Sequence, residues 1–172
     1  MSALHPITAS PSLRGALAQA ALSSVKRAAV TGTLAGLLSM GVMAQRGRRE
    51  AGSAIAPINA PSHWVYGDKA LAQDDASLRY TLPGALIHQA SGVFWGLLFD
   101  QLLRGGASRN IKRVALAAAG TTAIAAAVDL KLVPQRLTPG FERRLSAPSV
   151  ALTYGAFAVG LALGGLLLRG RR

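Results

Sequence analysis

Four apolar stretches, each about as long as a bilayer is thick, constrain this chain more than any other feature. They cover residues 28–45, 84–103, 114–133 and 149–168 of the 172-residue sequence, and Lys and Arg residues flank them. A membrane-spanning helix needs roughly 17–25 predominantly apolar residues, because the hydrocarbon core is about 30 Å thick. We therefore predict an all-α, integral membrane four-helix bundle, with the lipid bilayer as its surroundings.

The first apolar stretch has a second interpretation, a cleaved signal peptide. Val42 and Ala44 occupy plausible −3 and −1 positions before a cleavage site. However, the positive residues Lys26 and Arg27 come late for a signal peptide, and an arginine cluster follows Gln45 directly. We favour a retained helix, which gives four spans; cleavage would leave three.

The charge balance and the residue content exclude several classes of protein. The formal net charge is +12, yet the basic residues lie between apolar stretches and form no stripe with aromatic residues, so we expect no nucleic-acid partner. The absence of cysteine excludes disulfides, thiolate nucleophiles and Cys-ligated metals, and we predict no cofactor and no metal. The abundance of Ala, Gly and Arg is typical of a bacterium with a GC-rich genome.

The connections between the stretches predict the topology. Two are long, 46–83 and 134–148, and one is short, 104–113. Lys and Arg are divided almost equally between the two sides, but on one side they concentrate in the short loop and in the tails, including the basic tail 169–172. Because positive residues favour the cytoplasm, we predict a bacterial inner-membrane protein with both termini cytoplasmic. Residues 1–27 are predicted to be a tail, with an interfacial helix over 12–27.

The loop 46–83 is predicted to be partly structured and to lie in the membrane interface. It contains Asn59, His63, Trp64 and Asp68 among prolines and apolar residues. One interpretation makes His63 and Asp68 a polar pair that faces a substrate or an ion. The other makes Trp64 an interfacial anchor, since amphipathic rings settle at head-group depth.

Polar residues at matched depth suggest a layer inside the bundle. His88, Asp129 and Tyr154 each lie five or six residues inside a helix-flanking proline, about 7–8 Å from one membrane surface at 1.5 Å per residue. Ionisable groups within spans suggest function, and Lys131 would compete with His88 for Asp129. The alternative is that Asp129 and Lys131 reach water at the surface.

Two further patterns concern helix packing. Asp100 and Arg104 form an (i, i+4) pair that predicts a salt bridge at the opposite membrane surface. Small residues at four-residue spacing let helix backbones approach closely, and they occur as Gly32 with Gly36, as Gly160 with Gly164, and along the alanine face 119, 123 and 127.

Three sequence segments are similar to those of a known group of proteins: PQRLTPGFERRLS, APINAPSHWVYGD and IHQASGVFW. They resemble a group of uncharacterised small multi-pass bacterial inner-membrane proteins. The resemblance spans residues 59–154, and it implies the same multi-pass architecture and no particular activity.

Nucleotide-binding loops, metal-ligand runs and nucleophile motifs do not occur in the sequence. We therefore predict a non-enzymatic accessory or interaction subunit, which would contact other membrane proteins or a second copy of itself. The alternative is a small transport or proton-relay component that uses His88, Asp129 and Tyr154. A third hypothesis, an enzyme that acts on a lipid, would use His63, Asp68 and Asp74.

Overall fold

The fold is an all-α bundle of four long helices with two structured loops at one end. A computed structural model describes residues 11–104 and 110–168. The long helices are α1 (Pro11–Glu50), α4 (Thr81–Arg104), α5 (Ile111–Ala127) and α6 (Ala147–Leu167). In the described part of the chain, four helices are long and apolar enough to cross a membrane, with α5 continued to Leu132. The chain thus has the architecture of an integral membrane protein, as predicted.

The first helix differs from the predicted first span. α1 runs without a break for 40 residues, about 60 Å at 1.5 Å per residue, so residues 12–27 are helical and continuous with the first apolar stretch. Between Pro11 and Glu50 no proline interrupts the helix, and residues 12–27 are mostly good helix formers. The predicted tail residues 1–10, the basic tail 169–172 and part of the short loop lie outside the described residues.

The other three helices begin a few residues before the predicted spans, and local contacts explain where. The Asn110 side chain accepts a hydrogen bond from the Arg113 amide at 2.8 Å and caps α5. α4 and α6 each carry a proline in the first turn, Pro83 and Pro148, where the missing N–H is not needed. A π-helical turn, Val128–Leu132, continues α5.

Glycines set how closely α1 approaches its neighbours. An added Cβ at Gly32 would collide with the Gly92 carbonyl of α4, and one at Gly160 would collide with the Ala35 backbone of α1. A Cβ at Gly164 would lie 2.8 Å from the Thr31 Cα. Gly36 faces the Gln89 side chain of α4. All four glycines that the sequence singled out for helix packing therefore lie at crossings of α1 with α4 or α6.

The alanine face of α5 was expected to pack in the same way, but the structure turns it outward. Ala119, Ala123 and Ala127 are exposed, and the buried face of α5 carries Val114, Thr121 and neighbouring small residues. The helix is Ala-rich on several sides, so alanine spacing alone did not identify the packed face.

The two long loops fold onto each other and close one end of the bundle; we call residues 51–80 and 133–146 the cap. The first loop contains the short helices α2 (Ala56–Asn59) and α3 (His63–Tyr66) and two 3-10 turns, Ala60–Ser62 and Gly67–Ala72. The second contains the 3-10 turns Gln135–Leu137 and Phe141–Arg143. The Trp64 indole nitrogen donates to the Thr138 carbonyl at 2.8 Å and joins the two loops.

Candidate binding cavity

A cavity of about 510 Å³ lies beneath the cap, between α4 and the end of α5. Its aromatic lining consists of Trp64, Phe94, Trp95, Phe141, Tyr154 and Phe157. These residues include both tryptophans and three of the four phenylalanines of a chain that is only 5% aromatic. A concave, largely apolar site of this size with a few polar groups is typical of small-molecule binding sites.

The cavity reaches the outer surface of the bundle, where lipid would lie. Phe94, on the α4 side, is 62% exposed although it lines the cavity, and Ala90, one turn before it, is exposed as well. On the cap side, Leu137 is also exposed. The opening therefore faces sideways between helices and is framed by apolar side chains.

Asp129 is the acidic residue among the residues that line this cavity. It belongs to the π-helical turn, which is closed by the Val133 amide donating to the Val128 carbonyl at 3.0 Å. Such wide turns often occur at functional sites. The Tyr154 hydroxyl donates to Asp129 Oδ2 at 3.1 Å, so this hydrogen bond joins α6 to the end of α5.

His88 lines the same cavity but is held by α1. Its Nε2 lies 2.9 Å from the Ser39 hydroxyl, and Ser39 in turn donates to the Ala35 carbonyl at 2.8 Å. The structure thus brings His88, Asp129 and Tyr154 to one cavity, in two separate pairs: His88 with Ser39, and Asp129 with Tyr154. The predicted direct pairing of His88 with Asp129 does not appear in the hydrogen bonds of the described residues.

Lys131, proposed as a competitor for Asp129, is exposed, and among the described residues it forms no ion pair. Lys131 lies two positions after Asp129, and a two-residue step on a helix turns a side chain to a different face. The lysine is therefore not a partner of the carboxylate.

The four loop residues have separate places in the cap. Asn59 is fully buried: its amide donates to the carbonyls of Gln73 and Asp75 at 2.9 and 3.0 Å, and it accepts from the Thr81 hydroxyl at 2.7 Å. His63 is buried, with Nδ1 2.8 Å from the Ala60 carbonyl. The three hydrogen bonds of the Asn59 side chain therefore hold the first loop in its fold.

The structure does not bring His63 and Asp68 together. This separation counts against both hypotheses that depend on them, the polar pair that faces a substrate or an ion and the enzyme that acts on a lipid. Asp68 is 88% exposed and meets Arg143 at 3.3 Å, while Asp74 pairs with Arg144. These ion pairs tie the two loops together at the surface. Trp64 instead lines the cavity, with its indole N–H bound to the second loop.

A second, shallower groove of about 630 Å³ runs between α5 and α6, and Tyr154 lines both it and the cavity. Small residues of the two helices form most of its surface, including Ala119 and Ala123. Glu142 lies at this groove, and its Oε2 is buried with no hydrogen-bond partner among the described residues. Its chain neighbours Arg143 and Arg144 pair with Asp68 and Asp74.

Asp100 lies at the opposite end of the bundle in a dense ionic cluster. Its carboxylate accepts from Arg27 Nε at 2.6 Å, from the Ser24 hydroxyl at 2.6 Å and from Arg104 Nε at 3.1 Å. The sequence identified the Arg104 contact. Arg27 and Ser24 were missed as partners, because they lie more than seventy positions away in the chain.

Sequence reasoning also missed the aromatic lining of the cavity. The six residues occur at positions scattered over ninety residues of sequence, on α3, α4, α6 and the second loop. The nearest signal in the sequence is Trp64 of the first loop, which indicates an interfacial anchor as readily as a cavity.

In the described ranges, no group of three or more His, Asp or Glu residues is placed to hold a metal ion. No protein-family model, curated protein or solved structure matches the chain. Interpretation of the cavity therefore depends on its own geometry.

Proposed function

We propose that the chain is a non-enzymatic accessory protein of a bacterial inner membrane, and that it holds a lipophilic molecule in the cavity beneath the cap. One observation carries the proposal: an apolar, aromatic-lined cavity reaches the outer surface of the bundle and, among the described residues, has one carboxylate in its wall. A molecule that partitions into the bilayer could enter by this opening without crossing water. Burial of its apolar surface would supply affinity of about 25 cal/mol per Å² before the costs of binding.

The lining of the cavity favours binding over chemistry. Its hydroxyl and indole donors are largely engaged with the protein itself: Ser39 with Ala35, Trp64 with Thr138, and Tyr154 with Asp129. A nucleophile hydrogen-bonded to a base that a third group orients would point to covalent catalysis. Such a triad is absent from the hydrogen bonds of the described residues, which supports a binding role.

The test compares wild-type protein with two tryptophan variants of α4. Ser91 lines the cavity, so Ser91→Trp would fill it; Leu86 is 59% exposed and does not line it, so Leu86→Trp adds the same ring on the outside. The full chain is purified from its membrane, and organic extracts are compared by mass spectrometry. We expect one lipophilic species in stoichiometric amount with wild type and Leu86→Trp, and its loss with Ser91→Trp at equal membrane level. Equal extracts from all three proteins would overturn the proposal.

The membrane and the orientation are part of the proposal. The Ala-, Gly- and Arg-rich composition supports a bacterial source, and the Lys and Arg residues of the short loop and tails support cytoplasmic termini. Reporter fusions at residue 106 and at the C-terminus test the orientation. Cytoplasmic reporters active at both positions support it, and periplasmic reporters active at both would reverse it.

A second candidate function, a proton-relay or transport component, is favoured by the position of Tyr154. This residue donates to Asp129 in the cavity and also lines the groove that contains Glu142. A relay would move protons between the two acids through the phenol. Proteoliposomes with an internal pH dye test this: wild type would conduct protons, and Asp129→Asn and His88→Ala would not, while Asp68→Asn would. Flux equal to that of protein-free liposomes would remove this candidate.

A further inference from the structure

We infer that the occupant of the cavity is a lipophilic cation, held by the Asp129 carboxylate and by the surrounding aromatic rings. The inference rests on the proposed function, since it names the chemical class of the molecule that the cavity would bind. Three features decide the sign of the charge: a carboxylate with no basic partner among the described residues, the shortage of free donors and the density of rings.

The first feature is the carboxylate. Within the described residues, no Lys or Arg forms an ion pair with Asp129; its Oδ2 accepts from Tyr154, and the Trp95 indole N–H also interacts with the carboxylate. An ionised carboxylate in poorly solvated surroundings is costly unless a cation or hydrogen bonds compensate it. Glu142 lies close enough to Asp129 to interact with it electrostatically. A positively charged head group in the cavity would offset the negative charge of Asp129.

The second feature is the shortage of donors for an anion. Of the hydroxyl and indole groups that line the cavity, Ser39, Trp64, Thr153 and Tyr154 each donate to a protein acceptor at 2.8–3.1 Å, and Trp95 interacts with Asp129. Ser91 is the one lining hydroxyl without a hydrogen bond among the described residues. Lys131 is exposed and does not line the cavity. A phosphate or carboxylate head would therefore meet a carboxylate and few available N–H or O–H groups. The cavity selects against anions.

The third feature is the set of aromatic rings. Trp95 and Phe157 are buried, Trp64 and Phe141 line the cap side, and Phe94 borders the lateral opening. The faces of aromatic rings attract cations, most strongly where water is excluded, and Trp attracts them more strongly than Tyr or Phe. Rings also bind the apolar body of a ligand. A carboxylate among several rings is therefore suited to a cation with a bulky apolar surface.

The test uses three probes of similar shape and different charge: tetraphenylphosphonium, tetraphenylborate and neutral triphenylphosphine oxide. The full chain is placed in phosphatidylcholine nanodiscs, and saturable binding is measured by equilibrium dialysis against empty nanodiscs. We expect saturable binding of the phosphonium and none of the borate. Asp129→Asn should weaken phosphonium binding about tenfold or more, while the matched surface variant Asp68→Asn leaves it unchanged.

Ser91→Trp separates this inference from the proposed function. If phosphonium and phosphine oxide bind wild type, are lost in Ser91→Trp, and bind Asp129→Asn as tightly as wild type, the cavity binds lipophilic molecules but the cation inference is overturned. Saturable borate binding in the cavity would overturn it too. If none of the probes binds saturably, or Ser91→Trp changes nothing, both the inference and the proposed function fail. Melting temperatures of all variants confirm that each is folded.

Discussion

Asp100 and Asp129 are the two acidic residues within the predicted spans, and their carboxylates have different surroundings. Asp100 is 3% exposed and accepts hydrogen bonds from two arginines and a serine that belong to α1 and α4. Asp129 borders a cavity, with a tyrosine on one of its oxygens. The Asp100 carboxylate is held by three protein side chains, and the half-buried Asp129 carboxylate lines a cavity.

The two carboxylates lie in two halves of the bundle that differ in packing. We call the tightly packed half around Asp100 the closed half and the half that contains the cavity the open half. Around Asp100 the helices pack against a core that includes Phe99, Leu103, Val114 and Leu161. Toward the cap, the same helices leave room between α4 and α5. A buried charge whose hydrogen bonds are all internal holds helices together, whereas a charge at a cavity remains available to a ligand. The environment of an acid, and not its presence in a span, indicates its role.

The largest expected effect comes from removal of the Asp100 carboxylate. Asp100→Asn leaves Arg27 and Arg104 without their counter-ion, and we expect a loss of about 2–4 kcal/mol in the free energy of unfolding. Arg27 keeps 24% of its side chain exposed, which places the cost below that of a fully buried pair. Unfolding in SDS titrations measures it. Asp129→Asn is the matched variant, with an expected change of at most about 1 kcal/mol. Equal losses for both variants would contradict the comparison.

The next effect tests the close helix approach of the closed half. In Gly32→Leu the new side chain meets the Gly92 backbone of α4, which forces the helices apart at a cost of roughly 1–3 kcal/mol or more. Gly41→Leu is the control on the same helix, because nothing lies within 4 Å of a Cβ at Gly41. The melting temperature in detergent should fall for Gly32→Leu alone. If both variants kept the wild-type melting temperature, α1 and α4 would not pack closely at Gly32, and the comparison would be wrong.

A smaller effect is expected in the cap above the open half. Asn59→Ala removes three hydrogen bonds of a fully buried side chain and leaves the carbonyls of Gln73 and Asp75 without those donors. We expect a loss of about 1–3 kcal/mol that is confined to the loop. Hydrogen exchange of residues 70–80 should accelerate, while α1 near Asp100 stays protected. Uniform acceleration along the chain would show that the cap and the bundle unfold together.

The smallest effect concerns the surface ion pair of the cap. Asp68 is 88% exposed, so Asp68→Asn should change the free energy of unfolding by less than about 1 kcal/mol, and added salt should abolish the difference. The same SDS titration at low and high salt measures it. A larger, salt-resistant loss would mean that the Asp68–Arg143 contact holds the two loops as firmly as Asn59 holds one.

Much of the bundle was predictable, and particular residues show why. Apolar stretches of about 20 residues identify spans, and Pro83 and Pro148 mark where α4 and α6 begin. Counting from these prolines placed His88 and Tyr154 at one depth, and both do line one cavity. A helix over residues 12–27 was predicted, but its continuity with the first apolar stretch was not, because these residues lack the apolar content of a span.

The candidate site was only partly predictable. Pairing His88 with Asp129 was a plausible guess from depth, yet depth does not specify rotation around a helix axis, and Ser39 of α1 contacts the histidine instead. Trp64 and Phe141 come from different loops and meet at the cavity only because the cap folds across the bundle. The groove and the unpaired Glu142 oxygen had no counterpart in the sequence pattern.

The helical class and the four apolar helices follow from local chemistry. A helix satisfies its own backbone hydrogen bonds, and a long apolar stretch has few alternatives to a membrane or a protein core. The partners of each polar side chain do not follow locally. Asp100 pairs with Arg27, which lies 73 positions away in the sequence, and Tyr154 donates to Asp129, which lies 25 positions away. Such pairings depend on how helices rotate and approach one another, so the tertiary structure alone decided which acid is closed off and which faces a cavity.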